Sequence, residues 1–183
     1  MFTYCYNNTV NMADYEGRDA VFVVLTNPDE RGLPIVGHAA LYIQDSEGEW
    51  YFTEYTGTFP DKSTAKVYMN AIDFSQVEET LASSTSVYIE GDFSASVDLA
   101  QTYVGENYNG YNLIENNCLD YTCEILSEGT FKSKMIENVV KDRHTAVPVD
   151  FGRSLAETTL VVQIIEGVKS FANKLWTAIK KWW

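Results

Sequence analysis

A cysteine, a histidine and a glutamate in this chain have the types and settings that thiol chemistry needs. Cys118 closes the run Tyr111-Asn-Leu-Ile-Glu-Asn-Asn-Cys118 and opens an amphipathic segment that reaches Leu126. A thiol at a helix N-terminus sits in partial positive charge, which favours the thiolate and hence a nucleophile. Of the chain's 2 histidines, His38 lies in the apolar, strand-like run Ile35-Val-Gly-His-Ala-Ala-Leu-Tyr-Ile43. Thiol catalysis requires such a base, distant in sequence and near in space. Glu54 belongs to the next strand-like run, and a carboxylate there can accept a hydrogen bond from the imidazole and fix its tautomer. Taken singly, each residue has a plainer reading: an inert core thiol, a core histidine bonded to backbone, an exposed strand-end charge. Cys123 is turned well away from Cys118 on a helix and reads as core. His144, in the charged run Lys141-Asp-Arg-His144, reads as solvated, and Cys5 carries no catalytic setting.

These residues need a sheet and a helix to position them. Asp19–Thr26 is a short β-branched run and predicts a buried strand, followed by a polar loop over Asp29–Pro34. Val36–Gln44 and Glu49–Thr56 predict a hairpin around the turn Asp45–Gly48. Period-two alternation puts His38, Ala40 and Tyr42 on one face, and Trp50, Phe52 and Glu54 on one face of the partner. Gly57–Lys66 reads as loop, Phe74–Ser83 as a short helix, and Ser86–Glu90 as a fourth strand. Ser94 or Ser96 is expected to cap a helix ending near Val104. Gly105–Tyr111 reads as a turn. Asn117 or Asn116 is expected to cap the Cys118 helix, which stops near Gly129. Val147-Pro148-Val149 is expected to be extended. Beyond it, apolar residues recur at helical spacing from Val161 to Trp183, with lysines on the other side.

Composition bounds the function. At 183 residues, 45% hydrophobic and 21% charged, the chain is long enough for one domain with its own core. A net charge of −13 repels a phosphate backbone and excludes nucleic acid as a partner class. That charge is uneven: residues 160–183 hold four lysines against Glu166, a net +3, which leaves −16 for the rest. With 3 cysteines, a complete intrachain disulfide framework is impossible, and no spacing suits zinc, so the expectation is reduced thiols, no metal and no cofactor. The N-terminal residues lack a basic region followed by an apolar run, so no signal peptide is expected. Nor is a membrane-crossing helix. The corresponding localisation is cytoplasmic, or export or injection by a signal-peptide-independent route.

The ordered set Gly37-His38, the aromatic strand ending in Glu54, Tyr111-Asn112-Leu113 and Asn116-Asn117-Cys118 resembles the circularly permuted papain-like (NlpC-like) superfamily. More narrowly, Val87–Leu126 resembles toxin modules at the C-termini of bacterial Rhs-repeat proteins. The resemblance covers roughly residues 19–150 and implies an α+β fold, a small antiparallel sheet with packed helices. By this resemblance Cys118 is the nucleophile, His38 the base and Glu54 the third polar residue; Tyr42, Tyr111 and Asn117 are candidate substrate contacts. The implied activity is peptidase or amidase chemistry on a protein or peptidoglycan peptide, in a bacterial antagonism effector with an immunity or delivery protein as partner. An acyltransferase or phospholipase using the same residues, and a non-catalytic binding module, are the alternatives. The expected organisation is a domain over residues 1–155 and an amphipathic helix over 156–183 that packs on the domain, pairs with a partner or lies on a membrane surface.

Overall fold

The computed structural model describes residues 18–25, 37–57, 64–83, 85–108, 110–111, 116–143, 145 and 147–180. Strands β1 (Ala20–Leu25), β2 (His38–Gln44), β3 (Trp50–Thr56), β4 (Lys66–Ile72) and β5 (Thr85–Ile89) form an antiparallel sheet in the order β4-β3-β2-β1-β5. Around it lie helices α1 (Phe74–Ser83), α2 (Ser94–Tyr103), α3 (Cys118–Glu128), α4 (Lys134–Lys141) and α5 (Pro148–Lys180), with a short pair β6 (Gly91–Asp92) and β7 (Thr130–Phe131). The protein is thus α+β, with five helices among the described residues.

Alternation along the strands sorts the core into two layers. Phe22, Val24, Ala39, Leu41, Ile43 and Tyr55 pack with Leu119, Ile125 and Leu126 of α3 and with Phe151 and Leu155 of α5. Val21, Val23, Tyr42 and Trp50 face the other way and are covered by Val77 of α1. β1 carries apolar side chains on both faces, which is why its sequence reads as an unbroken run. The β2–β3 turn is organised by Asp45, whose carboxylate accepts from the Glu47 and Glu49 N–H groups.

Several expectations need correction. The sequence reading passes over β4, whose exposed Lys66, Tyr68 and Asn70 give an edge strand a polar character. It also passes over α4 and the β6–β7 pair. Neither Ser94 nor Ser96 caps α2: Phe93 stands at the N-cap and makes no side-chain bond. Ser94 instead bonds Asp92 through its N–H and its hydroxyl. Pro148 opens α5 instead of continuing an extended segment, because a first-turn residue needs no N–H partner and proline's φ already suits a helix. α5 then runs unbroken through residue 156. The expectations for Thr26, Asp29–Pro34, Val36, Cys5, Asn112, Leu113, His144 and Trp182-Trp183 fall outside the described residues. No helix among the described residues is long and apolar enough to cross a membrane.

Candidate active site

Cys118 is set by the start of α3. Asn116 takes a left-handed backbone, φ 60°, which asparagine tolerates better than most residues. Asn117 then caps the helix: its side-chain oxygen accepts from the Leu119 and Asp120 N–H groups at 2.8 and 3.1 Å. The Asp120 carboxylate answers by accepting from the Asn117 N–H at 2.9 Å. This capping box and the Tyr121 N–H bond to the Asn117 carbonyl satisfy the first-turn donors in turn. Among the described residues they leave the Cys118 N–H uncommitted at the positive end of the helix. Arg143 pairs with Asp120 and ties the segment after α4 to this turn.

The sulfur is seated by β2. The β2–β3 ladder ends at Ala40↔Glu54, while β3 goes on pairing with β4 to Thr56↔Lys66. One residue beyond that end, the Ala39 N–H donates to Cys118 Sγ at 3.4 Å. Ladder N–H groups lie in the plane of the sheet, so the sulfur enters that plane where β2 and β3 part. There it meets side chains of the opposite face, which explains how a cysteine from the α3 side reaches a histidine from the α1 side.

His38 opens β2, and its Nε2 lies 2.9 Å from Oε2 of Glu54, its diagonal neighbour across the hairpin. With Nε2 on the carboxylate, Nδ1 is the nitrogen left for the sulfur. Gly37 sets the strand entry. Its φ is 73°, and a Cβ there would come within 2.7 Å of Val24 and 2.9 Å of Val149, so glycine is required on both counts.

Burial alone would lower the His38 pKa. Hydrogen bonding and charge from Cys118 and Glu54 overcome that effect and push it up from 6.5 to about 9. The imidazole is therefore cationic at neutral pH, held between Cys118 and Glu54. Cys123 shows the contrast in the same helix: burial pushes its thiol up to about 12. Cys118 is only 5% exposed. The His38 and Glu54 side chains keep 27% and 21% of their surface, so approach to the sulfur is from their side.

Of the expected substrate contacts, Tyr111 lies close to the site. Burial pushes its phenol up to about 12, with the Cys118 charge and Tyr55 adding to the effect, and its ring packs 5.3 Å from that of Tyr55. Asn117 is buried and uses its side-chain oxygen as the helix cap. Tyr42 is four residues along β2, roughly 13 Å from His38 by strand rise, and its hydroxyl pairs with Thr80 of α1 at 2.8 Å.

The sequence reading missed the parts that lock the two halves together. Thr53, beside Glu54, donates to the Tyr68 carbonyl at 3.0 Å, and its oxygen lies 2.6 Å from the Tyr121 hydroxyl. A carbonyl can only accept, so Tyr121 is the donor in the second bond. Tyr121 sits one turn after Cys118, so this buried chain fixes the cysteine's helix to the glutamate's strand. Glu124 of the same helix accepts from Tyr103 and Tyr108, within a cluster of rings that includes Tyr55. The high tyrosine content was the available signal for this packing. The Ala39 N–H, a backbone group, leaves no mark in residue type. No family model, curated protein or solved structure matches the chain.

Proposed function

We propose that the protein is a cysteine hydrolase with a permuted papain-like arrangement, cleaving an amide through a thioester on Cys118. The observation that carries this reading is the geometry of His38, bound by Glu54 at Nε2 and held cationic beside a sulfur that accepts the Ala39 N–H. The chain order, histidine strand before cysteine helix, supports the fold assignment.

In this reading the Cys118 thiolate attacks the substrate carbonyl carbon and forms a C–S bond. The carbonyl electron pair moves to oxygen, and the oxyanion is met by the uncommitted Cys118 N–H and the α3 dipole. As the tetrahedral species collapses, the C–N bond breaks and the imidazolium of His38 gives its proton to the leaving amine. Neutral His38 then takes a proton from water, which adds to the thioester and releases the acid and the thiolate. Glu54 acts through His38 as a positioning residue, holding the ring and its charge.

The substrate class we assign is a protein or peptidoglycan peptide, and the setting an antagonism effector with an immunity or delivery partner; both rest on the sequence resemblance. A lipid acyl donor is a second reading, favoured by the exposed apolar side chains of α5. The test is mass spectrometry of peptidoglycan fragments, proteins and lipids after incubation with wild type and Cys118→Ala. A product formed by wild type alone identifies the bond cleaved, and equal turnover by both would sink thiol catalysis.

A further inference from the structure

α5 changes the direction of its apolar face partway along its length. At about 100° per residue, Phe151, Leu155, Thr159 and Val162 fall in one sector, the sector that packs on the sheet. Leu160, Ile164, Ile165, Val168, Phe171 and Trp176 form an arc of roughly 160°, centred roughly 140° away from that sector. These six side chains are 39% to 69% exposed. The helix thus turns a continuous apolar surface away from the domain it is anchored to, and among the described residues Leu160, Ile164, Ile165, Val168 and Phe171 of that surface stay exposed instead of packing into either core layer.

The margins of the arc are cationic. Lys169, whose ammonium pairs with Glu166 at 2.8 Å in a solvent-exposed bridge, follows the Trp176 edge, and Lys174 the Leu160 edge. Lysines in these places keep their charges at headgroup level while their stems lie on the apolar surface. Three of the chain's 4 tryptophans, Trp176, Trp182 and Trp183, fall in this +3 segment of an otherwise −16 chain, and tryptophan favours the membrane–water interface. The acidic body is repelled by an anionic surface; this segment is attracted. A second copy fits less well. Self-pairing helices use a narrow seam, and here two lysine-edged arcs would meet with Glu166 as the segment's sole acidic residue.

We propose that residues 160–180 lie along an anionic lipid surface, apolar arc inserted and Lys169 and Lys174 at the phosphates. This holds independently of the chemistry at Cys118. The test is sedimentation of the full chain with vesicles of phosphatidylcholine alone or mixed with phosphatidylglycerol. Wild type is expected to bind the mixed vesicles more tightly by roughly ten-fold or more, with salt weakening the difference. Val168→Glu with Phe171→Glu should abolish binding to both vesicle types, while Lys169→Glu with Lys174→Glu should remove the preference for phosphatidylglycerol. Both pairs are exposed, so circular dichroism should be unchanged. The proposal is overturned if wild type stays in the supernatant with both vesicle types, or if the Val168/Phe171 variant binds as wild type does. It is equally overturned by a non-binding dimer that this variant converts to monomer, which would put a second copy on the face.

Discussion

Replacing Glu54 by glutamine tests the electrostatics of the site directly, because it keeps the side chain's shape and removes its charge. His38 stands at about 9 against an ordinary 6.5, a difference worth roughly 3 kcal/mol. Burial acts against that rise, and Cys118 and Glu54 supply it. An opposite charge at hydrogen-bond range moves a neighbour by about 1–3 pH units, and the carboxylate oxygen is 2.9 Å from Nε2. Glu54→Gln should therefore lower His38 by about 1–2 pH units, or roughly 1.4–2.7 kcal/mol of preference for the cation. Cys118→Ala should lower it as well. In the double variant only burial remains, and the sign should reverse, with His38 titrating below 6.5. Imidazole resonances followed by NMR between pH 5 and 10 measure all four proteins, and a His144→Gln background assigns the second histidine. A Glu54→Gln protein still titrating near 9, or a double variant at or above 6.5, would refute the account of what holds His38 cationic.

Three further outcomes follow from the same geometry. Iodoacetamide at pH 6–7 should label Cys118 well ahead of Cys123, whose thiol burial pushes up to about 12; equal, slow labelling would favour a non-catalytic binding module. Thr53→Val strands the buried Tyr121 hydroxyl and the Tyr68 carbonyl, so it should cost about 1–3 kcal/mol in urea unfolding. Tyr121→Phe leaves Thr53 bonded and should cost less, about 1 kcal/mol; the reverse order would contradict the donor assignment. Because His38 is raised in the folded state, its contribution is fully present below pH 6.5 and lost as pH rises through about 9. The stability gap between wild type and His38→Gln should accordingly close over that window, by a total of roughly 3 kcal/mol, and a gap constant with pH would count against it.

How much of this was legible in the sequence depended on whether the information lay in side-chain type. β1, β2, β3, β5, α1 and α3 were readable because apolar periodicity and the asparagine cap are properties of residue type. His38 with Glu54 was readable because face alternation on a hairpin is fixed by counting. β4 was not: an edge strand with exposed Lys66 and Asn70 lacks the apolar density that marks a strand. Pro148 misled because the same residue serves an extended segment and the first turn of a helix, and only its neighbours decide. Asn117 looked like a substrate contact, but its side-chain oxygen is taken by the turn that presents the cysteine.

The meeting of Cys118 with His38 is the part no counting of faces delivers. Alternation puts His38 on the face packed by α1, and α3 packs on the other, so the sheet should separate them. They meet because β2 and β3 stop pairing at Ala40↔Glu54, and the sulfur takes the Ala39 N–H in the opening. The site is thus made by where a ladder ends. That places a constraint on any variant of the hairpin: lengthening the β2–β3 pairing by even one residue pair would give the Ala39 N–H a backbone acceptor and shut the sulfur out of the plane it shares with the imidazole. Residues such as Thr53 and Tyr121, which touch no candidate reacting atom, then matter for chemistry as well as stability, because they hold the helix at the height where that opening lies.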